Sequence, residues 1–108
     1  MGNRGNIVIL SDEGKDLFLY THWTGSDLPS IVANALDRGR DRWDDRPYLN
    51  RILFSELIKD DVLGTTGYGL DVERGDGGTE VYVSPTEETV RYLDTHYTFK
   101  EFVEAFGA

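Results

Sequence analysis

Short apolar runs separated by Gly, Asp and Ser clusters organise the chain. Asn6-Ile-Val-Ile-Leu is a β-rich run, and Ser11-Asp-Glu-Gly-Lys-Asp supplies turn chemistry before Leu17-Phe-Leu-Tyr-Thr-His-Trp. This predicts an N-terminal hairpin. In its second strand the period of two puts Leu17, Leu19, Thr21 and Trp23 on one face and Phe18, Tyr20 and His22 on the other. Large groups on both faces imply a central or doubly covered strand. The spacing then changes to helical: Leu28, Ile31, Val32, Ala35 and Leu36 follow Ser26 or Asp27 as cap, with Pro29 in the first turn and Gly39 as stop. A second helix is predicted from about Pro47, with Leu49, Ile52, Leu53 and Leu57 on one stripe, ending at Asp60-Asp61.

Beyond Gly64-Thr-Thr-Gly, Tyr68, Leu70 and Val72 alternate with Gly69, Asp71 and Glu73. This is the pattern of a half-buried strand, and Arg74-Gly-Asp-Gly-Gly is a loop from which Glu80-Val-Tyr-Val-Ser returns as the expected hairpin partner. A further strand is expected over Thr89-Val-Arg-Tyr-Leu. The tail from Thr98 reads as a helix: Thr98 caps it, Glu101 completes a capping box, and Phe99, Phe102, Val103 and Phe106 face the core. The expected fold is α+β, with order ββααβββα and helices packed on one face of an antiparallel sheet. With no repeat and no Pro/Ser-rich linker, residues 1–108 read as a single compact domain.

Composition agrees with one core. At 108 residues, 39% of them apolar and 12% aromatic, the chain is too hydrophobic for disorder despite 29% charged residues. It has no cysteine, so thiolate metal sites, disulfides and cysteine nucleophiles are excluded. The opening residues lack the apolar core of a signal peptide, and Asn6 stands where myristoylation of Gly2 wants Ser or Thr. No apolar run reaches the ~18 residues needed to span a bilayer. The expectation is a cytoplasmic protein with no membrane contact.

Net charge is −9, unevenly spread. Residues 1–59 hold nine acids and eight bases, whereas residues 60–108 hold eleven acids against Arg74, Arg91 and Lys100. Such a field repels nucleic acid and attracts basic surfaces, including grooves built to hold nucleic acid. Asp71, Glu73, Glu80, Glu87, Glu88, Glu101 and Glu104 are the candidate binding residues, imitating a phosphate track. The bland reading of the same residues is solubility.

An alternative centre is Tyr20-Thr-His-Trp-Thr-Gly-Ser, at a strand end that leads into a helix. Free N–H groups, an imidazole and hydroxyls gather there, so Tyr20, His22 and Ser26 are candidates for an anion or acid–base site of a small hydrolase or nucleotide-binding enzyme. The structural reading makes Tyr20 and Trp23 core aromatics and Ser26 a cap. Other chemistry is thinly supported, and no cofactor is implied. His22 and His96, with Asp71 and Asp94, lack metal-ligand spacing. Asp71 to Tyr82 departs from a calcium loop at Asp76 and Tyr82, and Gly64-Thr-Thr-Gly-Tyr-Gly fits no phosphate-loop pattern. Arg38, Arg40, Arg42, Arg46 and Arg51 are interleaved with Asp37, Asp41, Asp44 and Asp45, which suits intramolecular ion pairs, with Trp43 as an aromatic neighbour.

Met1-Gly-Asn-Arg with Ile7-Val-Ile, and then Leu19-Tyr-Thr-His-Trp-Thr-Gly, resembles small phage and prophage proteins that begin Met-Gly-x-Arg and carry a Tyr-x-His-Trp-x-Gly segment. The resemblance covers about 25 residues. Thr24 stands where that segment commonly has Asp. The resemblance implies a phage or mobile-element origin, and by analogy an anti-CRISPR-like inhibitor or DNA mimic. The expected function is therefore non-enzymatic: capture of a host protein through its basic nucleic-acid-binding surface, in the host cytoplasm and without direct contact to nucleic acid.

Overall fold

The computed structural model describes residues 2–75 and 77–107. Strands β1 (Gly5–Ile9) and β2 (Leu17–Thr21) form the N-terminal hairpin, paired from Gly5 with Thr21 to Ile9 with Leu17. A 3-10 turn over Gly25–Asp27 leads into α1 (Leu28–Arg38), and a second over Arg40–Arg42 leads into α2 (Arg46–Ile58). Then come β3 (Tyr68–Asp71), β4 (Thr79–Ser84), β5 (Thr89–Tyr92), β6 (Thr95–Thr98) and α3 (Phe99–Phe106). The architecture is α+β, one six-stranded sheet in the order β3-β2-β1-β4-β5-β6 with three helices.

Three expectations need correction. The sheet is mixed, because β1 and β4 pair in parallel, Gly5 beside Thr79 and Ile9 beside Val83. β3 and β4 are not a hairpin, since β2 and β1 lie between them. Residues 72–75 and 77–78 instead lie on a diagonal path across the sheet. Three strand spacings of ~4.8 Å and about three residues along the strands make a span of ~17 Å, which the eight Cα steps from Asp71 to Thr79 reach easily. Turn-type composition is as suitable for this path as for a tight hairpin. The strand expected at Thr89–Leu93 also has a partner, β6, joined through Leu93 and Asp94 at positive φ of 55° and 73°. The order is ββααββββα.

The core lies on one side of the sheet. Ile7, Ile9, Leu19, Val81, Val83 and Val90 face Leu28, Val32, Ala33, Ala35 and Leu36 of α1, Leu49, Leu53 and Leu57 of α2, and Phe99 and Phe102 of α3. α1 packs on β1 and β4 and against both other helices. Its C-terminal end is fixed by Trp43, whose indole N–H donates to the Leu36 carbonyl at 2.9 Å and whose ring meets Phe99 edge-on at 5.3 Å. α3 starts with a full capping box. The Glu101 N–H donates to the Thr98 hydroxyl at 3.1 Å, and the Thr98 N–H to the Glu101 carboxylate at 2.8 Å.

Between α1 and α2 the buried carboxylate is Glu56. It accepts from Arg38 Nε at 3.1 Å and Lys59 Nζ at 2.9 Å. Burial pulls its pKa upward, but the hydrogen bonds and charges of Lys59 and Arg38 together hold it below the ordinary carboxylate value. A depressed folded pKa gives stability that is present above the unfolded value near 4.5 and is lost as pH falls through the lower folded value. Glu56→Gln is therefore expected to lose about 1.5–3 kcal/mol at neutral pH. Denaturant titrations across pH 2–7 should show the loss shrinking toward acid, where the native carboxyl is also neutral.

Candidate binding surface

The sheet face away from the helices carries one row that crosses all six strands: Asp71, Phe18, Val8, Tyr82, Arg91 and His96. Cations lie on its aromatics. The Arg91 guanidinium sits 4.0 Å above the Tyr82 ring and that of Arg74 sits 5.3 Å from Phe18. Glu80 joins them, pairing with Arg74 Nη1 at 3.0 Å and accepting from the Tyr82 hydroxyl at 2.5 Å. That hydrogen bond, with burial behind it, raises the Tyr82 pKa above the ordinary phenol value. Asn6, fully buried, fastens the crossover by donating to the Gly75 carbonyl at 3.4 Å and accepting from the Gly75 N–H at 3.1 Å. Glu80 and Asn6 thus hold Arg74 and Gly75 of the crossover on the sheet.

The seven acidic candidates occupy different regions. Glu80 is neutralised by Arg74 and Glu101 is engaged in the α3 cap. Glu104 lies on the helix layer, further along α3. Asp71, Glu73, Glu87 and Glu88 have no ion-pair partner among the described residues, and all four belong to one end of the sheet. That end is where β1, β3 and β4 terminate. Its geometry is fixed by the Leu10 N–H bonded to the Val83 carbonyl at 2.8 Å, the pairing of Phe18 with Asp71, and the Phe99 N–H bonded to the Glu88 carbonyl at 3.0 Å.

The β1–β2 loop closes this end and brings three further acids, Asp12, Glu13 and Asp16. Asp16 accepts from the Ser11 N–H at 2.9 Å, and Glu13 has only an exposed Lys15 at 3.8 Å. A cleft of about 340 Å³ separates the loop from β4, β5 and β6, with Asp12, Asp16 and Glu87 on its rim and Tyr82, Thr89, Arg91 and His96 on its floor. Asp12, Glu13 and Asp16 were overlooked by a count along the sequence, since they fall in the nearly neutral half. The signal that finds them is pairing: parallel β1 and β4 must end together, so the loops after both meet.

The alternative centre is only partly assembled. Tyr20 Oη and His22 Nδ1 are hydrogen-bonded at 3.0 Å. Ser26 is held elsewhere, its hydroxyl accepting from the Asn3 side chain at 2.7 Å and its N–H donating to Asn3 Oδ1 at 3.1 Å. Asn3 thereby ties the start of β1 to the 3-10 turn. Trp23 is 47% exposed and packs edge-on against Tyr68 at 5.7 Å, so it is a surface aromatic instead of a core one. His22 directly follows β2 and His96 lies in β6, with β1, β4 and β5 between those two strands, and among the described residues no three His, Asp or Glu side chains converge to hold a metal ion.

No helix among the described residues is long and apolar enough to cross a membrane. No family model, curated protein or solved structure matches the chain.

Proposed function

We propose that this chain is a non-enzymatic, phage-type interaction protein that inhibits a host nucleic-acid-handling defence complex, of the CRISPR-effector kind, by laying an acidic rim on a basic groove. The observation that carries this reading is the meeting of the β1–β2 loop, the end of β3 and the β4–β5 turn. Together they set Asp12, Asp16, Asp71, Glu73, Glu87 and Glu88 along one end of the sheet, where Lys15 in the loop, Arg46 on the Leu10 carbonyl, Arg74 on Phe18 and Arg91 on the cleft floor offset only part of their charge. Carboxylates held on short loops by a rigid sheet are pre-organised, so little side-chain and loop order has to be imposed on binding. The resemblance of the N-terminal segments to phage proteins supports the same class.

An electrostatic mimic competes with nucleic acid and weakens with salt. Immobilised protein should retain a nucleic-acid-binding protein from host lysate at ~50 mM salt, release it to added double-stranded DNA, and lose about tenfold or more of the capture at ~200 mM. Capture indifferent to both DNA and salt would contradict the reading.

A further inference from the structure

The helix layer carries a second surface of opposite character. α2 presents Tyr48, Arg51, Ile52 and Ser55 at positions i, i+3, i+4 and i+7, one stripe facing the C-terminal end of α1. With Arg38 and Arg42 these residues line a groove of about 540 Å³. No carboxylate lines it. Asp41, Asp44 and Asp45 belong to the adjoining turn but do not reach the groove, and Glu56 is already shared between Arg38 and Lys59.

Two of its cations are held in place from within the protein. Arg38 donates through Nη2 to the Ile52 carbonyl at 3.1 Å and to the Ser55 hydroxyl at 2.8 Å, and through Nε to Glu56, which leaves its Nη1 unused. Arg42 lies 5.0 Å over the ring of Tyr48, which is itself 53% exposed. Arg42 and Arg51 have no ion-pair partner among the described residues. In a chain of net charge −9, an acid-free groove with three guanidinium groups is a local reversal of field.

We propose that this groove is a nucleotide site, taking a nucleoside diphosphate. Arg51 and the free Nη1 of Arg38 meet the phosphate oxygens, since guanidinium groups donate in pairs to such oxygens. The flat Arg42–Tyr48 stack receives the base, because a guanidinium plane and a phenol ring are sequence-tolerant stacking platforms. The site is separate from the acidic rim and does not depend on it.

Calorimetric titration with ADP, inorganic pyrophosphate and adenosine tests this directly. ADP is expected to bind more tightly than pyrophosphate, and adenosine not measurably. Arg51→Gln should weaken ADP about tenfold, the increment of one lost charged contact, and Arg42→Gln should weaken it by removing the guanidinium half of the base platform. Tyr48→Leu should weaken ADP while leaving pyrophosphate unchanged. All three side chains are exposed, so the variants should keep the parent circular dichroism spectrum. Absence of saturable ADP binding, ADP affinity unmoved by the two arginine changes, or pyrophosphate binding as tightly as ADP would each overturn the assignment.

Discussion

Replacing Phe102 with alanine is expected to lower the unfolding free energy by about 3–5 kcal/mol, the usual cost of emptying a phenylalanine site in a core. Phe102 is fully buried, and its ring meets Tyr97 at 5.2 Å and Phe106 at 4.7 Å. The truncation therefore removes the central ring of the group that fixes α3 to the β6 edge of the sheet. Lys100, exposed on the same helix, is the control, and Lys100→Ala should change stability by less than ~0.5 kcal/mol. Urea unfolding of the two variants separates the outcomes. A Phe102→Ala loss as small as that of Lys100→Ala would mean that α3 does not pack as described.

The second large effect is steric. Gly25 is buried, and a Cβ there would press on the carbonyl of Arg4 and lie 2.9 Å from the Asn3 oxygen, both backbone atoms that no rotamer change can move. Its N–H also donates to the Asn3 carbonyl at 2.7 Å. Gly25→Ala must separate the 3-10 turn from the chain entering β1, at a cost of about 2–4 kcal/mol for overpacking and the weakened hydrogen bond. Gly77 makes the contrast, because a Cβ there meets nothing within 4 Å. Gly77→Ala should be neutral or slightly stabilising, through reduced freedom of the unfolded chain. Thermal unfolding of the pair checks both signs.

Legibility in the sequence followed the range of the interactions. The helices were readable because their signals are local: Pro29 at the start of α1, Gly39 at its end, and Thr98 with Glu101 at the start of α3. The parallel pairing of β1 and β4 was not, because nothing in Arg74-Gly-Asp-Gly-Gly states how far the chain travels before Thr79. One cue was available. All five residues of β1 are buried, and a Gly-Asn-Ile-Val-Ile run apolar at adjacent positions suits a strand with neighbours on both sides. The missed β6, Thr95–Thr98, is mostly exposed and polar, so no alternation marks it, and its turn uses Leu93 and Asp94 where Gly or Asn would have signalled positive φ.

The candidate surface was legible in kind but not in position. Charge counted along the chain placed the acidity after residue 59, yet the fold separates Glu104 from Glu87 and withdraws Glu80 into a pair with Arg74. It also adds Asp12 and Asp16 from the other half. Tyr20 and His22 were adjacent on a strand face by period and do meet, whereas Ser26 was drawn away by Asn3, a contact across 23 positions that no motif encodes.

The central claim is that location at the rim, and not total acidity, captures the partner. Two triple variants of equal charge change test it: Asp12→Lys, Glu73→Lys and Glu87→Lys at the rim, and Asp27→Lys, Asp60→Lys and Glu104→Lys away from it. All six positions are exposed, so both variants should stay folded. Surface-plasmon titration against the DNA-displaceable partner should show the rim variant losing about a hundredfold or more in affinity, and the other variant retaining affinity within about fivefold. Equal losses in the two variants, or retention by the rim variant, would contradict the account.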